Sequence, residues 1–132
     1  MLRTPPQIVP GRNVISGNND AGIHVTAGAT GNTIRNNFIG TDVSGQRALG
    51  NTFAGVEIDG LDAQGNLIGT TRGNIVGADE SQSQGDEAGN RIGGNAGPGV
   101  YIHDIAPAAS DADRNVIAHN TIGQDDTGTG VS

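Results

Sequence analysis

Apolar residues in this chain come as short β-branched pairs bounded by Gly and Asn. Two units recur. One is Asn-x-Ile, in Asn13-Val14-Ile15, Asn32-Thr33-Ile34 and Asn37-Phe38-Ile39, and again in Asn90-Arg91-Ile92, Asn115-Val116-Ile117 and Asn120-Thr121-Ile122. The other is Gly-[Val/Ile]-x-[Val/Ile], in Gly22-Ile23-His24-Val25, Gly55-Val56-Glu57-Ile58 and Gly99-Val100-Tyr101-Ile102. Val and Ile alternating with a polar residue, closed by turn formers, predict short strands with one buried side. No window carries the 3.6-residue period of an amphipathic helix.

The units return in the same order along the chain, which predicts a stack of like elements. Three strand types follow. Type A covers residues 22–25, 55–58 and 99–102. Type B covers 32–34, 66–68 and 115–117. Type C covers 13–15, 37–39, 90–92 and 120–122. Asn74-Ile75-Val76 fits either an extra strand or an insertion. Like strands stacked at about 4.8 Å give three parallel sheets around an aliphatic core. The expected core is Ile15, Ile23, Val25, Ile34, Ile39, Val56, Ile58, Ile68, Ile92, Val100, Ile102, Ile117 and Ile122. Gly and Asn suit the bends between strands because both tolerate positive φ. Asn at equivalent bends can also hydrogen-bond along the stack.

The run Asn-x-Ile-x-Gly-Asn, then Gly-Val-x-Ile, then Asn-x-Ile-x-x-Asn-x-Ile-Gly-Thr-Asp-x-x-Gly resembles the right-handed parallel β-helix repeats of bacterial secreted and surface proteins, relatives of the pectate-lyase-like fold. The resemblance covers roughly residues 13–129, nearly the whole chain. It implies an all-β, right-handed parallel β-helix (a solenoid) of about three to four coils with three parallel sheets. It also implies an extracellular or cell-surface setting. The same fold hosts lyases, hydrolases, epimerases and passive stalks, so it does not carry an activity by itself. Within this frame, residues 1–12 read as an N-terminal extension or partial cap. Residues 13–132 read as the repeat domain, with an exposed acidic insertion near 78–88 and a C-terminus inside a repeat loop. Ends without a long cap would leave backbone edges open, so self-association through the ends, as a homodimer, is expected.

The net charge of −7, from 14 acidic residues against 7 Arg and Lys together, argues against nucleic acid as a partner, since phosphate binding needs a basic face. The absence of Cys excludes disulfides and thiolate metal sites. No signal peptide and no membrane-spanning run are legible.

The outward positions of the type A strands line up in two columns: His24, Glu57 and Tyr101 in one, and Thr26, Asp59 and His103 in the other. Together His24, Glu57, Asp59, Tyr101 and His103 form the candidate ligand-binding face. Glu57, Asp59 and His103 are the candidate catalytic groups, because two carboxylates beside an imidazole suit acid–base chemistry on a sugar. The plain alternative is that outward strand positions are polar in any soluble protein. Type A strands carry no Lys or Arg to stabilise an enolate-like transition state. Tyr101 is their only aromatic platform.

Acidic turns at Asp42, and at Asp125 and Asp126, make calcium the candidate cation, although an Asp in such a turn more simply bonds its own backbone. A zinc site built from His24, His103 and His119 would need His119 on the type A face, which the repeat does not suggest. These features favour a non-catalytic structural or interaction module. A carbohydrate-active enzyme, or a carbohydrate-binding module with a polysaccharide partner, is the alternative.

Overall fold

The structure, a computed structural model, describes residues 12–61, 64, 74–77, 89–105 and 114–123. Ten strands lie in it: β1 (Asn13–Ile15), β2 (Ile23–Val25), β3 (Thr33–Ile34), β4 (Asn37–Ile39), β5 (Val56–Asp59), β6 (Ile75–Gly77), β7 (Arg91–Ile92), β8 (Val100–His103), β9 (Val116–Ala118) and β10 (Thr121–Ile122). None is longer than four residues. All of the pairing between them is parallel and joins strands distant in sequence, in the orders β1-β4-β7-β10, β2-β5-β8 and β3-β6-β9.

The expected right-handed parallel β-helix is not what the described residues form. The described residues make small parallel ladders, of which the four-stranded and the β2-β5-β8 sheets are the main ones, and they do not show three sheets closed into a solenoid. The physical reason is that pairing runs only along the stack. Each strand offers two to four residues to its like neighbours, and no described strand hydrogen-bonds from one sheet to another. The expected acidic insertion near 78–88, the N-terminal extension up to residue 11 and the C-terminal loop lie outside the described residues.

The strand choice also differs from expectation in sheet β3-β6-β9. Its middle member is Ile75–Gly77, which pairs Val76 with both Ile34 and Ile117. Asn66-Leu67-Ile68 lies outside the described residues. Two type A strands run one residue beyond the motif, to Asp59 and His103, and pair there as well.

Val25, Ile39, Val56, Ile58, Val76 and Ile92 form the buried core. Ile15, Ile23, Ile34 and Val100 pack against it half-buried, with Ala29 and Ile105. Fully burying one such side chain stabilises by about 1.5–3 kcal/mol relative to leaving it in water. The expectation fails at one end of the stack. Ile102, Ile117 and Ile122 are 40%, 37% and 45% exposed, because β8, β9 and β10 have a neighbouring strand on one side only among the described residues. Val76, which motif reading left open, is wholly buried.

Three ladders of asparagine hold the bends. Asn37 donates from both its backbone N–H and its side-chain amide to Asn90 Oδ1, each at 3.0 Å, and Asn90 repeats this on Asn120 Oδ1 at 3.0 and 2.9 Å. Asn18, Asn51 and Asn95 form a second ladder, and Asn32, Asn74 and Asn115 a third, with the same double donation at every step. The remaining amide hydrogen reaches back to a carbonyl of the previous rung, as from Asn90 to Ile34 O at 2.8 Å and from Asn51 to Ile15 O at 3.2 Å. Asn51, Asn74 and Asn90 are at most 1% exposed, so unpaired amides would be costly there.

Gly40 needs to be glycine. Its φ is 93°, and a Cβ there would lie 2.2 Å from Gly93 O. Phe38 is buried, but on the outer side of sheet β1-β4-β7-β10 rather than in the core. Its ring is covered by the Arg12 guanidinium at 4.3 Å and the Arg91 guanidinium at 5.6 Å, with Gly45 beside it.

Candidate metal centre

The side-chain period of two along a strand puts Glu57 and Asp59 on the same outer face of β5. Parallel pairing then sets His24 beside Glu57, Glu57 beside Tyr101, and Asp59 beside His103. The two imidazoles therefore flank the two carboxylates from opposite sides. His24 Nε2 donates a short hydrogen bond to Asp59 Oδ2 and lies 3.8 Å from Glu57 Oε2. His103 Nε2 lies 2.8 Å from Glu57 Oε1 and 3.9 Å from Asp59 Oδ2. Each Nε2 thus faces both carboxylates. His24, Glu57 and Asp59 could hold a metal ion, since one ligand atom from each lies within 4.8 Å of the others.

The carboxylates are more buried than outward strand positions usually are. The side chains of Asp59 and Glu57 are 4% and 12% exposed, against 43% for His24 and 22% for His103. Asp59 is also held by the Thr26 hydroxyl, which donates to Oδ1, and by the Leu61 N–H at 2.9 Å. Burial pushes its carboxyl pKa up, but the bonds from Thr26, His24 and Leu61 outweigh this and hold it below the ordinary value. The hydrogen bond to Glu57 raises the His103 pKa, opposed by burial and reinforced by Asp104, whose Oδ2 lies 2.8 Å from Nδ1. Among the described residues, the two imidazoles are the only basic side chains within ion-pair distance of Glu57 and Asp59, and no Arg lies there.

Tyr101 is set apart from this cluster. Its ring stacks on His103 at 4.4 Å between centroids and 19° between planes, and meets Phe53 edge-on at 5.7 Å. It walls one side of His103 and is itself 39% exposed. The structure thus brings His24, Glu57, Asp59 and His103 together, with Tyr101 at the border. Of the calcium candidates, Asp42 binds its own turn: Oδ1 accepts from the Ser44 N–H at 2.9 Å and from the Ser44 hydroxyl. Asp125 and Asp126 lie outside the described residues. Motif reading missed Asp104. The available signal was a carboxylate directly after a strand-terminal His, on a residue that adopts φ 58° to turn the chain.

Comparison with known proteins found no matching family model, no matching curated protein and no matching solved structure. The likeness to pectate-lyase-like repeats therefore rests on the motifs alone.

Proposed function

We propose that this chain is a non-catalytic structural and interaction module: a stack of parallel rungs that presents one polar face and joins other molecules through its ends. The supporting observation is how its polar groups are used. Buried amides are bonded rung to rung, and among the described residues the two buried carboxylates of the outer face meet imidazoles and a hydroxyl rather than Arg. A sugar lyase or epimerase needs a cation to stabilise the charge that develops in its transition state. The motif resemblance supports a bacterial surface or secreted setting. Exposed Ile102, Val116, Ile117 and Ile122 at the β8, β9 and β10 edges support association through that end, as a homodimer. Calcium, the cation expected from the acidic turns, favours all-oxygen shells. It is a poorer match to a cluster with an imidazole nitrogen.

Incubation with a panel of acidic and neutral polysaccharides, with and without calcium, tests this reading. No depolymerised product is expected. Product formation that disappears in Glu57→Gln or Asp59→Asn would overturn it in favour of a carbohydrate-active enzyme using Glu57, Asp59 and His103. Sedimentation across a concentration series tests association, and a monomer at every concentration counts against it.

A further inference from the structure

We propose that His24, Glu57, Asp59 and His103 are the four ligands of a divalent transition-metal site of the zinc class, and that Asp104 is the residue that positions His103 for it. The ligand set comes from three adjacent strands: one residue from β2, two from β5 and one from β8. Zinc bonds of about 2.0–2.2 Å to nitrogen and oxygen place tetrahedral ligand atoms about 3.3–3.5 Å apart. Three of the four imidazole–carboxylate contacts lie on either side of that separation, at 2.8 Å for His103–Glu57, 3.8 Å for His24–Glu57 and 3.9 Å for His103–Asp59, while His24 Nε2 and Asp59 Oδ2 are closer and would have to part to admit an ion. His24, Glu57 and Asp59 already hold one ligand atom each within 4.8 Å of the others, and His103 is the fourth donor that would have to turn toward the ion.

Charge supports the same conclusion. Two carboxylates lie at 12% and 4% side-chain exposure, with imidazoles and no Arg within ion-pair distance among the described residues. Burying charge without compensation is expensive. A doubly charged ion balances the pair in one step.

Asp104 orients His103 from the other nitrogen of the ring. It faces His103 Nδ1 at 2.8 Å, on the opposite side of the ring from Glu57. A carboxylate on the second nitrogen of a ligating histidine fixes the tautomer with Nδ1–H and directs the Nε2 lone pair at the metal. The Tyr101 ring stacked on His103 limits rotation of the imidazole. Two nitrogen and two oxygen ligands suit zinc and its first-row neighbours, whereas calcium and magnesium prefer oxygen alone. The ion would tie three successive rungs together, so its binding should raise the unfolding temperature of the whole chain by mass action.

The test is titration of the chelator-treated full chain with zinc, and separately with cobalt(II) and calcium, followed by calorimetry, visible absorption and thermal unfolding. One zinc per chain is expected, with intense four-coordinate cobalt bands, an unfolding temperature that rises with zinc, and at least tenfold weaker calcium binding. His24→Ala and His103→Ala should each weaken zinc at least tenfold. Asp104→Asn should weaken it about tenfold, in line with the loss of an outer partner, while keeping one zinc per chain. Each variant is also unfolded in chelator, so that loss of fold is separated from loss of ligand. No zinc binding by the folded parent chain, unchanged affinity in the His24→Ala/His103→Ala double variant, or calcium binding as tight as zinc would overturn the site. None of these outcomes bears on catalysis, so the non-catalytic reading stands or falls separately.

Discussion

The asparagine ladders and the outer face of sheet β2-β5-β8 are both stacks of polar residues at one rung spacing, yet they solve the problem differently. An amide is donor and acceptor at once, so identical residues can satisfy one another from rung to rung, as Asn37, Asn90 and Asn120 do. An ionised carboxylate only accepts. Glu57 and Asp59 therefore need donors or cations between them, and the chain supplies Thr26, His24 and His103. The ladder is neutral and self-contained, while the outer face stays open to a further partner that carries positive charge.

The comparison is anchored by the apolar core beneath both stacks. Ile58→Ala should cost about 2–5 kcal/mol, because Ile58 is fully buried in the core cluster. Chemical denaturation measures this, and a loss under about 1 kcal/mol would mean that the core at β5 is not packed. Asn90→Ala should cost about 3 kcal/mol, since it strands the buried Asn37 N–H and the Ile34 carbonyl. Asn90→Asp should cost at least as much, because a carboxylate cannot donate to Ile34 O or Asn120 Oδ1 and carries a charge into the interior.

The mirror-image change on the outer face should be mild. Asp59→Asn keeps an oxygen for Thr26 and Leu61 and should lower stability by about 1 kcal/mol when no metal is present. If Asn90→Asp and Asp59→Asn prove equally costly in denaturation curves, the distinction between the two stacks fails. A still smaller effect is expected in β10, where Ile122→Ala should cost under about 1 kcal/mol because Ile122 is already 45% exposed.

The smallest expected effect is the response of the Asp42 turn to acid. The Ser44 hydroxyl bond, opposed by burial and helped by backbone N–H groups of the turn, lowers the Asp42 pKa below the ordinary carboxylate value. A group with a depressed folded pKa contributes stability that is fully present above its unfolded value of about 3.9 and is lost as pH falls through the folded value. The 41–48 turn should thus stay intact at pH 5 and loosen only in stronger acid. NMR titration of the Asp42 carboxyl and the Ser44 amide would check it, and a midpoint at or above the unfolded value would contradict the bond.

The sequence by itself determined what is local. Alternation in Gly-Val-x-Ile decides that Val56 and Ile58 share one side and Glu57 and Asp59 the other, because successive side chains of any extended strand point opposite ways. The recurring Asn marks the bends for the same reason, since Asn tolerates those backbone angles and can bond another Asn. His24, Glu57, Asp59 and His103 were legible as neighbours once the like motifs were aligned. Tertiary structure decided what depends on pairing at a distance. Two segments offered an Asn and an aliphatic pair for the middle of sheet β3-β6-β9, and Ile75–Gly77 occupies it with Asn74 in the ladder between Asn32 and Asn115. It also decided that Ile102, Ile117 and Ile122 meet solvent, that Phe38 lies under two guanidinium groups outside the core, and that Asp104 turns back onto His103. Periodicity records which side of a strand a residue occupies. Burial and contact depend on which strand lies next to it, and in a repeat several equivalent neighbours compete for that place.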